Sequence, residues 1–315
     1  MKQTISFGLL TLTIMAGTLR AEEGGTGHYM PGSMSSFVDG VPAQETVIVR
    51  NNLLYYNGSV GATVPLPIAG QSTLGASANS WGVGLTFLWR PPVELGEHWS
   101  YAISTTVPYV WVDVSAMVAS GANSVRRSST VNGLGDIVLM PLMLNYNVNS
   151  NLNVNFRTAL YAPTGSYEVG RLANTGKNFW TVEPTLGVMY FGVNNGREAS
   201  LFVGTDCNTE NEATHYSSGT QFHLDGTLAQ HFPLAGGLAG VGVNGFWYDQ
   251  ISADSGSGAT FGSFEGYTTG LGPAVSYVFK AGGRDMIGEA KWLDEVDTSN
   301  RLNGNMVWFK FVVKF

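Results

Sequence analysis

The chain closes with Gly304-Asn305-Met306-Val307-Trp308-Phe309-Lys310-Phe311-Val312-Val313-Lys314-Phe315, and the alternation in these residues decides the fold. Val307, Phe309, Phe311, Val313 and Phe315 share one face of a strand, while Met306, Trp308, Lys310, Val312 and Lys314 share the other. Side chains in a strand repeat with period 2, so a slip of one residue would turn both lysines out and the phenylalanines in. Lys310 fixes the sense of the pattern. Five residues from the end of a tilted strand it lies roughly 12 Å deep, where a lipid-facing lysine costs about 2–4 kcal/mol. The apolar face therefore reads as lipid-facing and the Lys310 face as inward. Taken alone, the same pattern also suits an edge strand of a soluble sandwich.

The other end supplies the compartment. Lys2, the apolar run from Ile5 to Leu19 and Ala21 before Glu22 have the order of a secretory signal peptide, so residues 1–21 are set apart from the fold. About 15 apolar residues are short for a membrane helix, and no later run approaches 18, so membrane residence has to come through strands. Composition agrees: 41 Gly, 16 Phe, 13 Tyr and 8 Trp accompany only 12% charged residues, against about 25% in soluble domains. A wall with lipid on one side and water on the other has fewer places for charge, and aromatic residues suit its two rims. A net charge of −7 gives no basic patch for nucleic acid. The single cysteine, Cys207, cannot form an internal disulfide.

The alternation returns every 20 to 25 residues or so, bounded by Gly, Asn, Pro and Ser clusters. Leu152, Val154, Phe156, Thr158 and Leu160 oppose Asn151, Asn153, Asn155, Arg157 and Ala159. Trp81, Val83, Leu85, Phe87 and Trp89 oppose Gly82, Gly84, Thr86 and Arg90. About twelve strands are predicted within 45–315, with 10 or 14 as alternatives. Connections sort by parity: short links at 148–150, 194–196, 233–236 and 281–283, with a longer one at 91–98, alternate with loops near 57–79, 113–130, 162–178, 208–218, 251–263 and 294–303. Single-chain outer-membrane barrels have short periplasmic turns and longer external loops. A sandwich gives no reason for such sorting. The fold expected is all-β: a transmembrane antiparallel up-and-down β-barrel.

Residues 22–44 break any period with Gly24, Gly25, Gly27, Pro31, Gly32, Gly40 and Pro42. They read either as a plug anchored by Tyr29, Met30, Met34 and Phe37, or as a periplasmic leader. Several stretches then carry a resemblance: Gly27-His28-Tyr29-Met30-Pro31-Gly32, Asn51-Asn52-Leu53-Leu54-Tyr55-Tyr56, Gly133-Leu134-Gly135-Asp136 with Pro141, Ala162-Pro163-Thr164-Gly165-Ser166-Tyr167, Asn174-Thr175-Gly176 with Trp180, and Gly272-Pro273-Ala274-Val275-Ser276-Tyr277. In order and spacing they resemble the outer-membrane protein family of the phenol-degradation meta-cleavage pathway, whose members are proposed transporters. Ser166 departs from that pattern, which places an acidic residue there. The resemblance implies a barrel and uptake of hydrophobic or aromatic compounds, with no catalytic residue. The terminal ladder ending at Phe315 likewise resembles the carboxy-terminal signature of bacterial outer-membrane barrels, which implies the barrel-assembly machinery as a partner, besides outer-membrane lipid and lipopolysaccharide.

Catalytic motifs are scarce. No G-x-S-x-G elbow is present, no H-E-x-x-H or Cys-His spacing suits a metal, and no cofactor is expected. His223, Asp225 and His231 share one strand face, but 223 to 231 spans more than about 25 Å. Asp294, Glu295 and Asp297 form an acidic stretch of an expected external loop, able to attract a divalent cation or lipopolysaccharide. By alternation the inward positions are Arg50, Arg90, Arg157, Glu183, Asp206, His223, Asp225, Glu289, Lys291, Trp308 and Lys310. Three functional readings remain: an outer-membrane channel for passive uptake of small hydrophobic or aromatic compounds, a closed structural or surface-interaction barrel acting through its loops, and an outer-membrane hydrolase.

Overall fold

The computed structural model describes residues 22–93, 95–120, 123–261 and 265–315; the expected signal peptide, residues 1–21, lies outside them. Fourteen strands follow in order: β1 (Thr46–Ser59), β2 (Pro65–Ile68), β3 (Gln71–Arg90), β4 (Trp99–Ser120), β5 (Asn123–Leu134), β6 (Ile137–Asn147), β7 (Leu152–Ala162), β8 (Thr181–Phe191), β9 (Arg197–Asn208), β10 (Gln221–Leu234), β11 (Gly237–Gln250), β12 (Tyr267–Ala281), β13 (Arg284–Ser299) and β14 (Asn303–Lys314). All lie in one antiparallel sheet in which consecutive strands are neighbours except that β1 pairs with β3 past β2 and β4 pairs with β6 past β5. Pairing of β1 with β14, from Ile48 opposite Lys314 to Ser59 opposite Asn303, and of β3 with β4 closes the sheet on itself. The result is a twelve-stave barrel with two extra strands, β2 and β5. Closure leaves none of the twelve staves as a sheet edge, the requirement for backbone in a bilayer, and the free edges fall on β2 and β5.

The terminal strand takes the sense that Lys310 demanded. Lys310 is fully buried while Phe309 on the opposite face is 43% exposed. Along β10 and β11 the same holds: Leu228 and Val243 point out, whereas His223, Asp225 and Asn244 are buried. Large apolar side chains exposed on one continuous band mark a surface made for lipid.

Three expected loops hold more strand than the alternation showed. Residues 57–79 include β2 and the first part of β3, 113–120 and 123–130 pair as the end of β4 and the start of β5, and β13 runs through Asp294, Glu295 and Asp297 to Ser299. Beyond the lipid band both faces of a strand are wet, so the apolar side of the pattern is lost: Asn123 to Thr130 contain two arginines and four Ser or Thr residues. Glu295 is inside, accepting from the Tyr56 hydroxyl at 3.0 Å and from the Gly304 amide at 2.8 Å.

One stave is interrupted. β5 pairs with the outer half of β4 (Tyr109 opposite Leu134), and β6 pairs with its inner half (Thr106 opposite Val138) and with β7. Gly135 and Asp136 lie between them outside the strands, so no described strand pairs with the second edge of β5. The loop after β7 sews this break. Ile137 N–H donates to Thr164 Oγ1 at 2.9 Å, and Asp136 Oδ1 accepts from Gly165 N–H at 2.9 Å. A Cβ on Gly165 would lie 2.6 Å from the Gly176 backbone, so these two strands of the loop touch main chain to main chain.

Candidate functional site: the barrel interior

The amino-terminal segment runs from Glu22 to Gln44, and its backbone and side chains meet the inner wall along most of that length. At one end Glu22 accepts from Arg301 and from the Tyr248 hydroxyl, and Glu23 from Tyr167 and Asn211. Further along, Trp308 Nε1 donates to Pro31 O at 2.8 Å, Gly32 N–H donates to Asp225 Oδ1 at 2.9 Å, and Lys291 Nζ donates to Gly32 O at 2.7 Å. Such contacts satisfy polar main chain that irregular structure would otherwise leave unpaired. Gly32 has φ +80°, and a Cβ there would come within 2.7 Å of Leu293 and 3.0 Å of Trp308. Gly32→Val is therefore expected to destabilise the docked segment by about 1–2 kcal/mol from the left-handed backbone alone, measurable as faster proteolysis within 22–44.

Asp39 is the hub of the second half. Both its carboxylate oxygens lie 2.8 Å from Lys310 Nζ, Arg50 Nη1 is 2.8 Å away, and the carboxylate also accepts from the Ser35 and Ser36 amides. Arg157 Nη2 donates to the Asp39 carbonyl at 2.9 Å, and Arg90 Nη1 to Pro42 O at 3.2 Å. Glu289 accepts from the Ser36 hydroxyl and lies 3.1 Å from Lys291 Nζ. Burial pushes the Asp39 carboxyl up, but Lys310, then Arg50 and Lys291, outweigh it and hold the group below its ordinary 3.8. A carboxyl held low in the docked state contributes stability above about pH 4 and loses it as pH falls through the lowered value. The protection Asp39 itself gives, read as the difference in proteolysis of the segment between wild type and Asp39→Asn, is expected to be the same at about pH 7 and pH 5 and to shrink on further acidification; a difference that already shrinks between about pH 7 and pH 5 contradicts this.

The structure thus places Arg50, Lys310, Lys291 and Glu289 around one carboxylate. Glu183, Asp206 and His223 form a separate buried group, with Tyr29 stacked on the His223 ring at 3.6 Å between centroids. Phe37 packs near His231 and Phe191, and Met34 near Met189 and Phe202. Met30 packs at the margin of the apolar cluster around Leu66 and Trp308. The catalytic constellation weighed for β10 is not assembled: Asp225 binds Gly32, and His231 pairs with Glu198 at 2.8 Å while the Ser200 hydroxyl donates to Glu198.

Sequence reasoning missed Asp39 and Asp136 as partners. Asp136, in the wall break, accepts from Lys177 N–H at 2.7 Å and lies 2.9 Å from His28 Nε2. One residue so ties the broken stave, the 163–180 loop and the amino-terminal segment together. Both carboxylates are single acidic residues in irregular stretches, where no periodicity marks a face.

The opposite wall is different. Between the segment and strands β1, β3 and β4 lies a cavity of about 420 Å³, lined by Leu54, Leu66, Ile68, Ala76, Ala78, Val110, Val112 and Val114, reaching Gly135, Asp136 and Gly176 at the break. One half of the interior is charged and covered by the segment, and the other half is apolar and hollow.

Twelve closed staves, an apolar outer band and turns sorted by length define an outer-membrane β-barrel. Residues 61–311 match the family described as "Putative MetA-pathway of phenol degradation", and the chain belongs to that family. Among solved structures it is similar to the COG4313 outer membrane channel from Pseudomonas putida F1, with 16% identity, 91% of this chain and 100% of that chain covered, and a TM-score of 0.66. A FadL homologue from Pseudomonas aeruginosa aligns at 6% identity over 86% of this chain and 89% of that chain, with a TM-score of 0.41. No curated protein matches at the level of sequence.

Proposed function

We propose that the protein is a passive outer-membrane channel for small hydrophobic or aromatic compounds, with residues 22–44 as its plug. The apolar cavity beside the plug carries this reading. Its lining is mostly Leu, Ile, Ala and Val with a few polar groups such as Arg50, Asn52 and Asp136, which favours a largely apolar solute, and a cavity of about 150 Å³ suffices to hold benzene. Its extent to Gly135 and Asp136 adds an interruption in the wall next to the bound compound. The plug meets the charged wall, so the ion pairs hold the occluding element and leave the apolar side free. No energy-coupling element enters this scheme; flux follows the gradient. Proteoliposomes carrying the protein are expected to accumulate a labelled monoaromatic faster than protein-free liposomes, and equal rates overturn the proposal.

A closed structural barrel is favoured by one observation, the density of bonds between segment and wall. The two readings separate in planar bilayers: deletion of residues 24–42 gives discrete conductance in either case, but only the channel reading gives solute flux with the segment intact.

A further inference from the structure

We propose that Glu183, Asp206 and His223 form a binding site for a single divalent transition-metal ion of the zinc class on the inner wall beneath Tyr29. The three come from β8, β9 and β10, and one ligand atom from each, a carboxylate oxygen or an imidazole nitrogen, lies within 4.8 Å of the other two. Glu183 and Asp206 stand across from each other in the β8–β9 pairing, between Val182 opposite Cys207 and Thr185 opposite Gly204. Like charges placed directly across a ladder repel. Both are fully buried, and burial removes the water that would screen them. Arg157, on the neighbouring strand β7, spends its donors on Asn155, Met34 and the Asp39 carbonyl.

Three observations point to an ion rather than to a protein-only pair. Among the described residues, neither Asp206 oxygen and neither His223 nitrogen has a hydrogen-bond partner, although Asp206 is 0% and His223 1% exposed. His223 Nε2 lies 3.5 Å from Glu183 Oε1 and 3.6 Å from Asp206 Oδ1. A charge-assisted hydrogen bond would close to about 2.7–2.9 Å, whereas donors bonded at about 2.0–2.2 Å to one tetrahedral ion stand roughly 3.3–3.6 Å apart. The surroundings also orient the donors. Tyr161 donates to Glu183 Oε2 at 2.5 Å and the Thr185 hydroxyl donates to Glu183 Oε1 at 3.0 Å, which fixes the carboxylate with Oε1 toward the imidazole.

Gly204 makes room for the ring, since a Cβ there would come within 2.5 Å of His223 Nε2. One imidazole and two carboxylates suit zinc-class ions better than calcium, which takes six to eight oxygens. A +2 ion with two carboxylates and neutral histidine leaves the group without net charge, and solvent takes the fourth position. No spacing in the sequence announced a metal, because the ligands lie on three successive strands.

The test is metal content and cobalt spectroscopy on the full-length barrel in detergent. Chelator-treated wild type is titrated with Co²⁺ and with Zn²⁺, and folding is checked by heat-modifiable gel migration. About one equivalent of ion with a tetrahedral cobalt absorption is expected. Asp206→Asn and His223→Gln are expected to weaken binding at least about 100-fold, while His215→Gln, in an exposed loop, binds as wild type does. Failure of folded wild type to take up stoichiometric Co²⁺ or Zn²⁺ at micromolar concentrations overturns the site, as does unchanged binding in folded Asp206→Asn and His223→Gln. The wild-type titration stands even where a variant misfolds.

Discussion

Asp39→Ala is expected to release the amino-terminal segment and turn a barrel of low, intermittent conductance into one with large discrete steps in planar bilayers. Removing this one carboxylate leaves Lys310 and Arg50 facing each other without the group both contact at 2.8 Å. It also removes the acceptor for the Ser35 and Ser36 amides. Breaking a buried pair by deleting one partner costs about 3–5 kcal/mol, which shifts docking by roughly two to four orders of magnitude. The cost falls on the segment rather than the barrel, since the staves are held by continuous ladders from β1 round to β14. Conductance indistinguishable from wild type would show that Asp39 does not hold the plug.

Val110→Trp is expected to lower flux of an aromatic solute by about tenfold or more, the equivalent of roughly 1.4 kcal/mol, without changing barrel assembly. Val110 lines the cavity from β4, and the indole would occupy the hollow beside Leu54 and Ala78. Val243→Trp is the matched control, because Val243 is 51% exposed on the lipid face of β11, where aromatic side chains are at home. Flux in competition with the two variants, in the same proteoliposomes, separates filling of the cavity from a general effect of added bulk. Equal loss in both would remove the cavity from the pathway.

Most of the barrel was legible because lipid imposes a strict code on strands: apolar at every second position and polar between, so that one inward lysine, Lys310, settled a register. Turn lengths added an independent signal. The code ends where lipid ends. The end of β4, the start of β5 and the start of β3 carry no alternating lipid-facing apolar row and read as loops, although their ladders run on to Asn123 and Gln71. Gly135 and Asp136 gave a family motif but no sign of a broken stave, since an irregularity of two residues leaves the alternation on either side intact. The interior divided in the same way. Inward charges such as Arg157 and Asp225 followed from parity, but their partners are the Asp39 carbonyl and the Gly32 amide, in a segment without a period. Nor does parity reveal that Glu183, Asp206 and His223 converge, because that depends on register across three strands.

The most direct measurement compares influx of a labelled monoaromatic and of a small sugar into proteoliposomes carrying the intact protein, with protein-free liposomes as reference. Accelerated influx of the aromatic with the sugar held near the reference rate is the result expected from an apolar cavity beside a docked plug. Equal influx of both, or an aromatic rate no higher than in protein-free liposomes, would contradict a hydrophobic-solute channel.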